Sequence, residues 1–286
     1  MTNRAYHLHL PEHRTSPVVF SSPHSGAEYS EAFKAQSRLD AISLRSSEDA
    51  FVDQLFSAAP QFGAPLLAAK GPRAYIDMNR GPDELDAALI ENVVHISHNP
   101  RIHSGLGVIP RVVSAGRAIY HGRISRAEAE ARLNQHWHPY HDRLRKLLDE
   151  SHQLFGQAIL IDCHSMPHEA LENHSRTASP LPEIVLGDRF GAAAARPLVD
   201  QIEAAFKAAG LRVARNTPFA GAYIAQTYGR PSRQHHAIQI EIDRSLYMNE
   251  AKIEPRADFA AFQQLLAGII AEITQIGTGR LPLAAE

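Results

Sequence analysis

Apolar runs of strand type alternate along this chain with stretches of helical periodicity. The apolar runs predict strands at 17–21, 66–69, 158–161, 211–214 and 236–243, and an alternating pattern predicts another strand at 73–80. Helices are predicted after Ser47, after Ser125, within 187–210 and over 258–276, where apolar positions recur at helical spacing. This alternation is typical of an α/β fold with a mostly parallel sheet.

The pattern predicts a single domain over residues 1–286, because no linker rich in Pro, Gly or Ser interrupts it. The segment 83–120 departs from the regular alternation, since it is rich in turn residues and has only a short apolar piece at 93–96. We interpret this segment as a long excursion over one end of the sheet. Long loops of this kind usually carry function.

Composition narrows the class of protein. Hydrophobic residues make up 44% and charged residues 21% of the chain, and the formal net charge is −2, so nothing indicates disorder, a nucleic-acid partner or a membrane surface. We find no run long and apolar enough to span a membrane and no secretion signal. The single cysteine, Cys163, excludes an internal disulfide and fits a reducing compartment, so a cytoplasmic protein is expected. The sequence leaves both a monomer and a homo-oligomer open.

The first candidate for chemistry is the segment 158–167, where an apolar strand ends in Asp162, Cys163 and His164. Side chains two apart on a strand share a face, so Asp162 and His164 lie together while Cys163 turns away. His164 is therefore a candidate metal ligand with Asp162 as its orienting carboxylate. A histidine that closes its strand and bonds to its own loop is the ordinary alternative.

Further residues suggest how a site is completed. His24 lies in the turn after the first predicted strand, and Asp49 is predicted in the first turn of the first helix, where an acid also suits the helix dipole. Two histidines and a carboxylate form the ligand set of a catalytic zinc, whose fourth position holds water. Glu241 suits a general base that transfers the proton of this water, and Arg73 suits an oxyanion partner.

Of the 17 histidines in the chain, His138 and His141 also lie at a chelating spacing, one helical turn apart. Their helix is rich in Arg and Glu, which favours a solvated or packed role. We therefore do not expect them to be primary metal ligands.

Several short motifs are spread over most of the chain. They are Ser22-Pro23-His24-Ser25-Gly26, the helix start at Ser47-Glu48-Asp49, Tyr75-Ile76-Asp77-Met78-Asn79-Arg80, Trp137-His138-Pro139-Tyr140-His141, Asp162-Cys163-His164-Ser165-Met166 and Gln239-Ile240-Glu241. In this order they resemble the N-formylglutamate amidohydrolase family. The resemblance implies a three-layer α/β/α fold with a mixed, mostly parallel sheet, similar to zinc carboxypeptidases and aspartoacylases. It also implies one zinc ion per chain and hydrolysis of N-formyl-L-glutamate to L-glutamate and formate, in histidine degradation.

The resemblance also implies a role for the motif residues. These are metal ligation by His24, Asp49 and His164, general-base catalysis by Glu241, oxyanion binding by Arg73, and capture of the substrate α-carboxylate by Asn79 and Arg80. A glutamyl substrate has a second carboxylate. The candidates to bind it are Arg111, Arg230 and Arg244, and the sequence favours none of them over the others. Tyr223, in an irregular aromatic stretch, is a further candidate for substrate binding.

The chain departs from the family pattern around Ser47-Glu48-Asp49-Ala50-Phe51 and after His164. Glu48, and less plausibly Glu28, therefore remain alternatives to Asp49 as the metal carboxylate. The physiological metal, among zinc, cobalt and manganese, stays open.

Three functions remain after these arguments. The leading one is a zinc-dependent amidohydrolase whose small-molecule substrate is an N-formyl or other short N-acyl amino acid. The others are a zinc carboxypeptidase-like hydrolase of small peptides or cell-wall fragments and a non-catalytic binder of an acidic metabolite. Glu241 discriminates among them, because a base near the metal water favours catalysis and a base ion-paired elsewhere favours binding.

Overall fold

The computed structural model describes residues 5–93, 99–172 and 180–278. Its strands are β1 (Tyr6–His9), β2 (Val18–Ser22), β3 (Leu66–Ala69), β4 (Ala158–Met166), β5 (Ile184–Gly187), β6 (Val213–Arg215), β7 (His235–Asp243), β8 (Met248–Asn249) and β9 (Glu254–Pro255). Its α-helices are α1 (Glu31–Gln36), α2 (Ala41–Arg45), α3 (Val52–Leu55), α4 (Pro100–His103), α5 (Arg126–Arg132), α6 (His138–Phe155), α7 (His168–Glu172), α8 (Arg196–Ala208), α9 (Tyr223–Tyr228) and α10 (Phe259–Gln275). Most of the apolar piece predicted at 93–96 lies outside the described residues.

The first seven strands form one sheet, in the order β1-β3-β2-β4-β7-β5-β6. At its centre β2, β4 and β7 run parallel, whereas β5 runs antiparallel to β7. Every residue of β4 is buried, which explains why its sequence reads as a nearly continuous apolar run. The sheet is thus mixed and mostly parallel, as predicted.

The register of β4 and β7 places four polar residues on one face of the sheet. Asp162 pairs with Gln239, and His164 pairs with Glu241. Paired residues on neighbouring strands point to the same face, as do residues two apart on one strand. All four side chains therefore lie on one face, close to the carboxyl ends of both strands.

The described residues group into two compact units. One includes 23–50 and much of 68–143, and in it the side chain of Arg132 is enclosed by the rings of Phe33, Tyr75 and Tyr120. The other includes β2, α3, most of α6 and the described chain that follows. In this second unit α10 packs on α3 and α8, and Leu266, Ile270 and Ile273 of α10 are buried. No helix of the described chain is long and apolar enough to cross a bilayer.

Several predicted strands and helices are confirmed with small shifts at their ends. The capping prediction at Ser125 is confirmed, because its hydroxyl accepts a hydrogen bond from the Glu128 N–H at 3.1 Å. The predicted closing helix is α10, which Asp258 precedes. The pattern did not predict β1 or β5, and the helix predicted within 187–210 begins only at Arg196.

Two local predictions about site segments are wrong. Asp49 does not lie in a helical turn, because α2 ends at Arg45 and α3 begins after Phe51, whose φ is 66°. Residues 73–80 form turns rather than a strand. The N–H groups of Tyr75 and Ile76 donate back to the Pro72 carbonyl at 2.9 and 3.2 Å, so they do not join a sheet.

Candidate metal centre and active site

Three buried side chains are placed so that they can hold a metal ion together: His24, Asp49 and His164. One potential ligand atom of each lies within 4.8 Å of the other two. The residues are only 2%, 1% and 2% exposed. Two imidazoles and a carboxylate form the ligand set of many catalytic zinc sites. The predicted metal ligands are therefore brought together in the fold.

His164 is oriented by its own strand. Its Nε2 lies 3.0 Å from Oδ2 of Asp162, which is fully buried two residues earlier in β4. A carboxylate on one ring nitrogen fixes the tautomer and directs the other nitrogen toward a metal. The ligand and orienting carboxylate predicted from the sequence thus lie in hydrogen-bonding contact.

His24 is oriented by a residue from a distant part of the sequence. Its Nε2 lies 2.7 Å from Oδ1 of Asp77, and its Nδ1 lies 3.4 Å from Oδ2 of Asp49. The backbone N–H of Asp49 also donates to the His24 carbonyl at 3.0 Å. Asp77 therefore orients the ring, and Nδ1 faces the carboxylate of Asp49.

Asp77 is the residue whose role sequence reasoning missed. It is 2% exposed, and it accepts hydrogen bonds from the Asn79 N–H at 2.8 Å and from Arg73 Nε at 3.0 Å. Burial alone would raise the pKa of Asp77, but the charges of His24, Arg73 and Arg80 hold it well below its usual range. The only available signal was its place in the Tyr75–Arg80 motif, because 53 residues separate it from His24.

Glu241 lies on β7 directly across from His164 on β4. It is 8% exposed, and its Oε1 accepts a hydrogen bond from Gln239 Nε2 at 2.7 Å. Gln239 Oε1 in turn accepts from the Ala222 N–H at 3.3 Å. This chain of hydrogen bonds fixes the orientation of the carboxylate on the face that carries His164.

The predicted oxyanion and α-carboxylate residues share the turn segment 73–80. Arg73 is ion-paired with Asp77, and its side chain is 25% exposed. Asn79 is buried, and Arg80 donates through Nε to the Leu106 carbonyl at 3.0 Å. Burial lowers the pKa of the Arg80 guanidinium from its ordinary value, although the Asp77 carboxylate opposes this.

The further candidates for substrate binding lie in different environments. Arg111 Nε donates to Asp86 Oδ2 at 2.8 Å, so its charge is already balanced. Arg244 is buried, and its Nε donates to the Ser165 hydroxyl at 3.1 Å. Arg230 is exposed, and Tyr223 is the half-buried first residue of α9.

The alternatives to Asp49 make other contacts. Glu48 accepts hydrogen bonds from Arg45 Nη2 at 2.9 Å and from the Tyr29 hydroxyl at 3.0 Å. Glu28 is paired with Lys70, and its side chain is 57% exposed. Neither belongs to the buried group that includes His24 and His164. Asp49 is therefore the carboxylate that the fold brings to the two histidines.

A family model, two relatives and one solved structure indicate the same family. The family described as N-formylglutamate amidohydrolase matches residues 16–248. N-formylglutamate deformylases of Pseudomonas putida and Pseudomonas aeruginosa are 31% and 30% identical to this chain, over 89% of it in both cases and over 92% and 93% of their own lengths. The crystal structure of an N-formylglutamate amidohydrolase from Ralstonia eutropha JMP134 superposes with a TM-score of 0.89 at 36% identity, covering 95% of this chain and 97% of that one. The chain belongs to the N-formylglutamate amidohydrolase family.

Proposed function

We propose that this protein is a zinc-dependent amidohydrolase that cleaves N-formyl-L-glutamate into L-glutamate and formate. The observation that carries the proposal is the pairing of His164 with Glu241 across β4 and β7. This pairing places a proposed metal ligand and a proposed base on one face of the sheet. The named relatives in the family are N-formylglutamate deformylases, which also supports this substrate.

The residues present fit a bound divalent ion. His24, Asp49 and His164 would be its ligands, and the carboxylates of Asp77 and Asp162 hold the two rings in place. A bound zinc ion would polarise the formyl carbonyl and lower the pKa of a water molecule toward neutrality. Oxygen and nitrogen donors in this proportion suit zinc, and cobalt or manganese can substitute.

Glu241 is the proton carrier in this proposal. Gln239 donates a hydrogen bond to its Oε1 and so fixes the carboxylate. The carboxylate accepts a proton from the attacking water and delivers it to the departing amino group of glutamate. A carboxylate with one fixed oxygen loses little conformational freedom in that exchange.

The segment 73–80 supplies the cations for the substrate. Arg73 stabilises the negative charge that develops on the carbonyl oxygen, and Asn79 and Arg80 bind the α-carboxylate. For the side-chain carboxylate, Arg230 is a better candidate than Arg111, because Asp86 already balances the charge of Arg111.

We further propose that the reaction belongs to histidine degradation in the cytoplasm. The buried cysteine, Cys163, fits a reducing compartment. Family membership supports this setting.

The test is release of formate from N-formyl-L-glutamate by the zinc-loaded protein. Glu241→Gln should retain the metal and lose turnover by a factor of about 10² or more, because the proton carrier is removed while the shape is kept. Glu254→Gln, the same change on the exposed strand β9, is the matched control and should turn over normally. N-formyl-L-alanine, which lacks the second carboxylate, should be a poorer substrate.

Two results would contradict the proposal. One is the absence of formate release from metal-loaded wild-type protein with N-formyl-L-glutamate. The other is wild-type turnover in Glu241→Gln, which would remove the base from the mechanism.

A further inference from the structure

The segment 73–80 makes few backbone bonds of the kind that hold a strand, yet it carries four residues of the proposed site. Arg73, Asp77, Asn79 and Arg80 all lie in it, and Asp77 orients the metal ligand His24. A segment built of turns needs support from other side chains if its functional groups are to stay in place.

Three side chains of one helical segment donate hydrogen bonds to carbonyls of this turn segment. Arg132 Nη1 donates to the Tyr75 carbonyl at 3.2 Å. Trp137 Nε1 donates to the Arg80 carbonyl at 2.9 Å, and His141 Nε2 lies 2.8 Å from the Met78 carbonyl. Since a carbonyl only accepts, His141 must carry its proton on Nε2.

These three donors can act together because the helix contains a π-turn at Leu133–Trp137. In a regular α-helix, two residues five positions apart lie about 140° apart around the axis. In the π-turn the His138 N–H donates to the Leu133 carbonyl, five residues back, so residues five apart return to nearly the same side. Arg132 and Trp137 therefore share a face, and His141 joins them one α-helical turn later.

The sequence accounts for the π-turn. Pro139 has no N–H and cannot donate to the Gln135 carbonyl, so regular α-helical bonding is already interrupted at this point. The wider turn lies just before this proline. Such turns are often found at functional sites.

The three donors are buried and well packed. The Arg132 side chain is fully buried, and its guanidinium carbon lies 4.0 Å from the centre of the Tyr75 ring. The rings of Trp137 and His141 pack with their centres 4.0 Å apart. Buried donors in fixed rotamers hold an acceptor more firmly than exposed ones.

We propose that Arg132, Trp137 and His141 form a backbone clamp, created by the π-turn, that positions segment 73–80 for metal and substrate binding. The three are positioning residues, since they act through the backbone of the segment. The substrate part of this inference rests on the proposed function. The metal part acts through Asp77 and His24 and can be measured without turnover.

The test compares variants that remove or keep a single donor. Trp137→Phe keeps an aromatic ring and removes only the N–H to Arg80. His141→Leu removes the donor to Met78, whereas His141→Gln keeps one. Ser16→Ala is the matched control, because the Ser16 hydroxyl also donates to a buried backbone carbonyl, that of Thr274 at 2.6 Å, but outside segment 73–80.

We expect Trp137→Phe and His141→Leu to raise KM for N-formyl-L-glutamate about tenfold, since small displacements of binding groups are costly. Zinc affinity, measured by competition with a chelating dye, should fall by about threefold, less than for loss of Asp77 itself. His141→Gln should restore most of both values. Ser16→Ala should lower thermal stability and leave KM and zinc affinity unchanged.

The clamp is supported if KM or zinc affinity changes in Trp137→Phe and His141→Leu but not in Ser16→Ala, and if His141→Gln returns it toward the wild-type value. The clamp is overturned if Trp137→Phe and His141→Leu lose only thermal stability, as Ser16→Ala does. Should Trp137→Phe fail to fold, the two His141 variants decide the question. If the wild type releases no formate, the proposed function fails, and the zinc measurement still tests the clamp.

Discussion

The two metal-binding histidines of the proposed site are held in opposite ways. His164 lies inside β4, and its orienting carboxylate, Asp162, is two residues away on the same strand. His24 lies in a turn after β2, and its orienting carboxylate, Asp77, comes from a turn segment 53 residues further along the chain. One histidine is positioned by local strand geometry and the other by long-range packing.

This difference shows where the site depends on the rest of the fold. The pair Asp162 and His164 needs only the extended backbone of a buried strand, because residues two apart share a face. The pair His24 and Asp77 needs segment 73–80 to be in place, and that segment depends on the donors from Arg132, Trp137 and His141. Distant substitutions should therefore affect His24 more than His164.

The largest expected effect is loss of the metal when either ligand is removed. His24→Ala and His164→Ala should each abolish tight zinc binding, because two protein ligands rarely hold zinc tightly. Zinc content after dialysis, measured by atomic spectroscopy, checks this. His138→Ala, which changes an exposed histidine of α6, is the control and should keep its zinc.

The same contrast between local and long-range support explains which parts of this site could be predicted from the sequence. The strands β2, β4 and β7, the two histidines and Glu241 are predictable, because apolar runs that end in polar residues mark strand ends. The role of Asp77 was not predictable, since no local pattern pairs it with His24. Segment 73–80 alternates like a strand, yet its backbone bonds back to Pro72, and tertiary contacts override such a pattern.

The π-turn at 133–137 and strand β5 were missed for related physical reasons. The apolar residues of this helix, Leu133, Trp137 and Tyr140, keep α-helical spacing in the sequence, so only Pro139 indicated an irregularity. Strand β5 has four residues and ends in Gly187. An apolar run of that length does not distinguish a strand from a helix or loop.

Another buried histidine, His236, differs from His24 and His164, because no carboxylate lies among its described contacts. It is 3% exposed, and its Nδ1 accepts a hydrogen bond from the Ala195 N–H at 3.3 Å. Burial, assisted by the nearby His235, lowers the pKa of His236 to about 4. The folded protein therefore keeps this ring neutral where the unfolded chain, with a pKa of about 6.5, binds a proton.

The sign of the effect follows from linkage. The unfolded state binds more protons between the two pKa values, so the free energy of unfolding falls as the pH drops from about 6.5 toward 4. The loss from His236 alone should reach about 3 kcal/mol at pH 4. Urea unfolding of metal-free His236→Gln should show a flatter acid dependence than the metal-free wild type. Parallel curves would show that His236 titrates normally in the folded protein.

The orienting carboxylates should have smaller effects on metal binding than the ligands. Asp162→Asn and Asp77→Asn should each weaken zinc affinity by about 10- to 100-fold, as expected for groups that orient a ligand. Asp77→Asn should also raise KM, because Asp77 accepts from Asn79 and Arg73, whereas Asp162→Asn should not. Zinc competition and steady-state kinetics measure both quantities. If Asp162→Asn and Asp77→Asn changed KM equally, the claim that one histidine has local support and the other long-range support would be wrong.

The most direct test of the account is formate release from N-formyl-L-glutamate by one protein sample before metal removal, after metal removal and after zinc is added back. We expect release by the initial protein, loss of release with the metal, and recovery once about one zinc ion per chain is bound. Undiminished release from folded protein that holds no metal would contradict it, because His24, Asp49 and His164 would then have no part in the reaction.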